Sequence, residues 1–331
     1  MTSLPIAKRK VSVVVPTRDR PKLLREALAS IRALEGEDLT FEILIGDNGK
    51  DPGSKTAAEE FGATHLPVVR NGAGAARNAG LKAATGDFIA FLDDDDVWTK
   101  DAVRGQVAVL DANPNLEACF AQVMSTDQEL RPASEPWPAE SPGEGDQLVR
   151  TMLSGYYPQI GATVVRPQVR KDVGLFDETL LGDQDWDWQL RIARRRKTGF
   201  SKTLCVMFRQ RPPGTFDALR LMRLGFTRKV FLRHAVPERK LWTGLDKLLA
   251  AYTKVHWQYY GYFTDAAVDR ARAGERSAAR RAVWGAFRTF PLRATFHLLS
   301  NTALHYAFFA TFAADGVPPP PPEVTPDAFR K

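Results

Sequence analysis

Four consecutive carboxylates, Asp93 to Asp96, stand in the stretch GDFIAFLDDDDVW, directly after an apolar run that reads as a buried β-strand. Like charges this close repel one another, and burial beside an apolar strand adds a desolvation penalty. Either these groups face open water, or something positive sits among them. Hard carboxylate oxygens suit Mg2+ or Mn2+, ions that keep several waters and bridge to phosphate oxygens. When a dication and a diphosphate share the coordination, the repulsion becomes attraction. The expected cofactor is therefore a divalent cation, Mn2+ or Mg2+. A glycine loop of either common phosphate-binding kind is missing: G-x-x-x-x-G-K-[ST] does not occur, and NGAGAARNAG lacks the strand-then-helix setting of a dinucleotide fingerprint.

The carboxylates need a scaffold that carries them to a strand end. VSVVV, residues 11–15, is a β-branched run closed by Pro16, and PKLLREALASIRAL then repeats apolar residues at helical spacing. The pattern recurs: FEILIG, a helical stretch around 55–61, a short strand near 65–69, a small-residue helix at 73–84, and DFIAFL. Such alternation predicts an α/β fold with a mainly parallel sheet covered by helices on both faces. Ligands in these sheets collect outside the carboxyl ends of the strands. Thr17 and Arg18, Asp47 and Asn48, and Asp93 to Asp96 are thus expected to converge on one crevice. Residues 131–145 are rich in Pro, Glu, Ser and Gly and read as an exposed loop. Then follow a strand GATVVR, the turn KDVGLFDETLLGDQD, an amphipathic helix WDWQLRIARRR and a strand KTLCVMFR. Beyond Pro213 only helical patterns remain, over 217–312, until VPPPPPE ends them. The expected organisation is an α/β domain over 1–214, an all-helical region over 215–313 and a Pro-rich tail over 314–331, with the boundary near Gly214.

With 44% hydrophobic and 26% charged residues in 331, the chain is globular in composition. Its two cysteines, Cys119 and Cys205, lie on apolar strand-like segments and read as core thiols rather than a disulfide framework. The opening MTSLPIAKRK runs into a strand with no apolar signal region, so a cytoplasmic protein is expected. The net charge of +7 is uneven: residues 217–331 hold 18 Lys and Arg against 9 Asp and Glu, so the surplus belongs to the helical third. No nucleic-acid-binding motif accompanies it, and its aromatics follow helical spacing, so nucleic acid is not an expected partner. Residues 291–312 could reach across a bilayer, but Arg293, His297, Asn301 and His305 recur every four residues and would all enter hydrocarbon. A packed or interfacial helix is expected instead, with peripheral contact at the inner face of the cell membrane aided by the basic residues of 270–281.

Three stretches, VSVVVPTRDRPKLLREALASI, FEILIGDNG and ARNAGLKAATGDFIAFLDDDDVW, together with VGLFDETLLGDQDWDWQLRIA, resemble the family-2 glycosyltransferases in order and spacing, over about 11–209. The resemblance implies the GT-A fold and transfer of a sugar, with inversion, from a nucleoside-diphosphate donor, UDP-linked, to a carbohydrate or lipid-linked acceptor hydroxyl. Pathways of that kind make polysaccharide, cell envelope or glycolipid. Carried over by position, the resemblance implies that Thr17 and Asp47 contact the nucleotide base and that Arg77 contacts the donor. It places Asp93 near the ribose, Asp95 on the metal and Asp185 as catalytic base, with Asp183 and Asp187 near enough in sequence to compete for the last role. Gln184 stands where the family has glutamate, and Asn48 and Lys50 replace Asp and Ser after Asp47. Trp186 and Trp188 read as core or interface aromatics. Two other functions compete: a nucleotidyltransferase, which needs a Gly-rich loop where PTRDRP has no glycine, and a catalytically silent sugar-nucleotide scaffold.

Overall fold

The computed structural model describes residues 8–210, 217–235, 244–300 and 303–312. The chain divides into two compact units, one running to Thr215 and taking in Leu232–Leu241, the other comprising Phe216–Phe231 and Trp242–Lys331. The boundary expected at Gly214 and the expected Pro-rich tail lie outside the described residues.

The first unit starts with β1 (Arg9–Thr17), α1 (Pro21–Arg32), β2 (Leu39–Asp47), α2 (Gly53–Glu60), β3 (Thr64–Pro67), α3 (Ala73–Ala83) and β4 (Phe88–Phe91). It continues with β5 (Val97–Trp98), α4 (Arg104–Ala112), β6 (Ala118–Thr126), α5 (Gly145–Leu153), β7 (Thr163–Val165), α6 (Val169–Asp172), α7 (Gln184–Arg195) and β8 (Thr198–Arg209). The eight strands form one sheet in the order β3-β2-β1-β4-β7-β6-β8-β5. β3, β2, β1 and β4 are parallel to one another, β7 is antiparallel to both its neighbours, and β6 and β8 run parallel. The parallel half matches the βαβ reading, and the sheet as a whole is mixed. Residues 131–145 are not a free loop: Trp137 bridges to Val123 and packs on the core.

Alternate residues of β1 serve two cores, as expected of a strand covered on both faces. Val11, Val13 and Val15 join Leu24, Leu28 and Ile31 of α1, whereas Val14 joins Phe91, Trp188 and Ile192 on the opposite side. Cys119 and Cys205 are fully buried, as expected of core thiols. Two glycines let α3 lie close on the sheet. A Cβ on Gly46 would stand 2.1 Å from the Ala76 carbonyl oxygen, and one on Gly80 would stand 2.6 Å from a Val14 methyl. Every other residue type would push α3 outward, and α3 carries Arg77 and Asn78.

At the amino end of the sheet, Glu42 accepts hydrogen bonds from Ser12 Oγ at 2.5 Å, from Thr85 Oγ1 at 2.6 Å and N at 2.8 Å, and from Lys10 Nζ at 2.9 Å. Burial works against its charge, but these donors outweigh it and hold the carboxyl at about 2, below its ordinary 4.5. A depressed folded-state pKa contributes stability above pH 4.5 that is lost as pH falls from there toward 2. Glu42→Gln is expected to lower the unfolding free energy at neutral pH by about 1–3 kcal/mol, with the difference shrinking as pH drops through that window. Urea titrations at several pH values check this, and a pH-independent difference would exclude the ionised-carboxylate account.

The remaining helices are α8 (Asp217–Ala235), α9 (Leu245–Arg272), α10 (Arg276–Thr289), α11 (Pro291–Leu299) and α12 (Ala303–Ala310). α8 belongs to the second unit as far as Phe231. The core of that unit joins Tyr259, Tyr260, Phe263 and Ala267 of α9 to Ala279, Val283 and Ala286 of α10 and to Leu304 and Ala307 of α12. The stretch expected as one helix over 291–312 is two, because α11 stops at Leu299, with Ser300 as its C-cap. Asn301, expected on the polar side, lies outside the described residues. Among the described residues no helix is long and apolar enough to cross a membrane.

Candidate active site

The carboxyl ends of β2, β1 and β4 are neighbours in the sheet, and Thr17 pairs in register with Asp47. The acidic run begins two residues after β4. Its charges are matched largely by arginines, only one of which sequence reasoning had singled out. Arg20 Nη1 donates to Asp94 Oδ1 at 3.1 Å and to Asp95 Oδ2 at 2.8 Å. Arg77 Nη2 donates to Asp93 Oδ1 at 2.5 Å. Asp96 is buried and accepts from Gln159 Nε2 at 2.7 Å and from the Arg209 amide at 2.9 Å. Burial pushes Asp94 up to about 6, helped by the charge of Asp95 and opposed by Arg20 and by the Thr17 hydroxyl, which donates to it at 2.7 Å. Burial and the charges of Asp95 and Asp185 also raise Asp93, against the pull of Arg77.

Arg77 is 2% exposed, and its Nε and Nη1 have no hydrogen-bond partner. Leaving buried donors unmade costs about 1–3 kcal/mol each, so this fork is shaped for something further that accepts. Its guanidinium lies 5.8 Å from the Phe176 ring centroid, and the negative charges of Asp93 and Asp185 raise its pKa against the effect of burial. Asp185, in the first turn of α7, therefore lies within electrostatic reach of both Arg77 and Asp93. The next residue on α3, Asn78, donates from Nδ2 to the Phe176 carbonyl at 3.0 Å and to Glu178 at 2.8 Å, and its Oδ1 accepts from the Phe176 amide at 2.9 Å. Asn78 thereby holds the loop that leads into α7 against α3, a positioning role that sequence reasoning missed.

Carboxylate oxygens of Asp93, Asp95 and Asp96 lie within 4.8 Å of one another. An all-oxygen set of this size suits a small divalent cation. Asp47 sits at the rim of the strand ends, with Oδ1 accepting from the Gly49 amide at 2.8 Å and Oδ2 2.9 Å from His65 Nε2. Asp19, in the left-handed region at φ 54°, accepts from the Lys50 and Asp51 amides and so ties the loop after β1 to the loop after β2.

A family profile described as Glycosyl transferase family 2 matches residues 12–158, which include β1 to β4 and the acidic run. That stretch is similar to glycosyl transferase family 2. Among its relatives, the β-1,3-glucosyltransferase WfgD of Escherichia coli, named for UDP-Glc and α-D-GlcNAc-diphosphoundecaprenol, is 29% identical over 104 residues, 30% of this chain and 40% of WfgD. Pre-mycofactocin glycosyltransferase of Mycobacterium tuberculosis is 27% identical over 199 residues, 57% of this chain and 40% of that protein. The chain thus spans two fifths of the length of these relatives. The solved structure of S. aureus TarS 1-349 in complex with UDP-GlcNAc has a TM-score of 0.56, covering 91% of this chain and 88% of TarS at 18% identity, a likeness of fold. That fold is GT-A.

Beyond the matched residues, the three aspartates around α7 have different surroundings. Asp187 is fully buried and meets Arg233 Nη1 at 2.8 Å, Arg191 Nε at 3.0 Å and His234 Nε2 at 3.0 Å. Burial opposes its charge, but His234 and the two arginines hold its pKa below the ordinary carboxylate range. Asp183 is buried at the N-cap of α7 with φ 57°, and its carbonyl accepts the Asp187 amide. Asp185 is half-buried, its Oδ1 accepting from the Trp186 amide at 2.8 Å. Trp186 and Trp188 are buried, and Trp188 stacks on Phe176 at 4.7 Å, as expected of core aromatics.

Proposed function

We propose that the chain moves a sugar from a nucleoside-diphosphate sugar, UDP-linked, to an acceptor hydroxyl with inversion, in the presence of Mn2+ or Mg2+. The observation that carries this is Arg77: a buried guanidinium with two unused donors, beside a triad of carboxylates and within electrostatic reach of Asp185. Asp95 and Asp93, with Asp96 as third, would hold the cation, which when bound supplies Lewis-acid neutralisation of the departing diphosphate. Arg77 offers its free donors to donor oxygens, as a planar fork suits phosphate. Asp47 and Thr17, side by side at the strand ends, are assigned to the nucleotide base, Thr17 while its hydroxyl also braces Asp94. Asp185 takes the acceptor proton as the new bond forms, a task a positioned carboxylate performs by general-base catalysis. Of its neighbours, Asp187 is already committed to three partners, Arg191, Arg233 and His234.

WfgD, named for a UDP-sugar and a diphosphoundecaprenol-linked acceptor, and the UDP-GlcNAc complex of TarS support a UDP-linked donor. The acceptor proposed is a carbohydrate or a lipid-linked carbohydrate in cell-envelope, polysaccharide or glycolipid synthesis, met at the inner face of the cell membrane. A panel of UDP-, GDP- and dTDP-sugars tests the donor by calorimetry and by release of nucleoside diphosphate with Mn2+. Binding confined to UDP-sugars is expected, whereas tighter binding of a GDP- or dTDP-sugar would overturn the nucleotide assignment.

A further inference from the structure

The apolar side of α11 faces solvent. Leu292, Phe296 and Leu299 are 88%, 66% and 78% exposed, and their i, i+4, i+7 spacing aligns them on one strip. Arg293 and His297, between them, turn inward. The Arg293 guanidinium lies 4.5 Å from the Trp257 ring centroid, and His297 is buried with Nδ1 2.8 Å from the Tyr260 hydroxyl. A helix packed only for a water-soluble bundle would show the opposite arrangement.

The strip has neighbours of a consistent kind. Phe309 on α12 and Phe312 just after it are exposed, and His305 joins the two helices, its Nδ1 2.7 Å from the Leu298 carbonyl and its ring 4.5 Å from Phe309. The Arg280 guanidinium of α10 lies 4.8 Å from the Phe312 ring centroid. The outward face of α10 then presents Arg281, Trp284 and Arg288 at i, i+3, i+7, all exposed, and α10 has no acidic residue. Exposed aliphatic and aromatic side chains bordered by arginine and an outward tryptophan are what an anionic bilayer surface takes up. A second copy of the chain fits less well, because pairing this face with itself would oppose arginine to arginine.

We propose that this face of the helical unit lies on an anionic bilayer, the α11 strip with Phe309 and Phe312 entering the acyl boundary and Arg281 and Arg288 meeting lipid phosphates. The proposal deepens the membrane part of the function above and rests on it only in bringing a lipid-linked acceptor to that surface. The test is co-sedimentation of the full chain with vesicles of phosphatidylcholine alone or mixed with phosphatidylglycerol, at low and high salt. Binding is expected with the anionic vesicles at low salt and to fall as salt rises. Arg281→Glu with Arg288→Glu should lower partitioning at least about tenfold, since each basic residue near the surface is worth about fivefold. Phe296→Glu with Leu299→Glu should abolish it. Circular dichroism and donor calorimetry in solution confirm that each variant is folded, and a failure of donor binding by the parent would count against the transfer reading, not against this one. No binding to anionic vesicles by the folded parent, or unchanged binding by both variants, would overturn the proposal. So would a concentration-dependent dimer, lost with Phe296→Glu, in a protein that ignores vesicles.

Discussion

Asp95→Ala should lose at least about 100-fold in donor affinity in the presence of Mn2+ and make what remains insensitive to EDTA. Partners that merely orient a metal ligand are worth 10–100-fold, so loss of a ligand should equal or exceed that. The structure adds a reason to expect a clean result. Arg20 reaches Asp94 as well as Asp95, so the truncated variant still leaves that guanidinium paired, and Thr17 still braces Asp94. Folding should therefore survive the substitution. Calorimetric titration of a UDP-sugar into parent and variant, each with Mn2+ and with EDTA, reads both effects. Equal affinities in all four titrations would remove the metal from the mechanism and leave neutralisation of the diphosphate to protein cations such as Arg77.

Asp185→Asn should separate binding from turnover. The amide keeps the oxygen that accepts the Trp186 N–H, so the first turn of α7 should stand, and donor affinity should change little. Transfer to an acceptor should fall by at least about 10^2, the low end of what general-base catalysis supplies. Asp187→Asn makes the contrast. It weakens a buried carboxylate that serves Arg191, Arg233 and His234, and the expected result is a loss of stability of about 3–5 kcal/mol. Unfolding midpoints and steady-state rates on both variants decide the matter. Near-normal transfer by Asp185→Asn would move the base elsewhere.

What could be read in advance follows from where physics acts locally. β1, β2 and β4 are runs of buried apolar residues, so their type, their βαβ setting and the polar residues at their carboxyl ends were legible. Arg20 was not. It shares its loop with Arg18, and only the left-handed turn at Asp19 swings Arg20 onto Asp94 and Asp95 while Arg18 stays exposed. Asn78 was also invisible, because its partners Phe176 and Glu178 are about a hundred residues away and nothing in its own neighbourhood announces them. β5 is two residues long, too short for any periodicity, and exists because β8 pairs with it. The break after Leu299 falls at the polar run Ser300, Asn301 and Thr302, which a reading of 291–312 as one helix passed over, and with it the outward turn of Leu292 and Phe296.

The ion cluster on Asp187 has a bearing on how this molecule could be divided. Two of its three partners, Arg233 and His234, come from the far end of α8, some twenty residues beyond the point at which the α/β pattern stops. An excised segment ending near residue 214 would keep Arg191 but strand a buried anion without the other two. The smallest independently folding piece of the α/β unit is therefore not a cut at the composition change but one that includes the end of α8. Its inheritance is joint: the α/β unit cannot be shuffled onto another partner without carrying the end of α8 along.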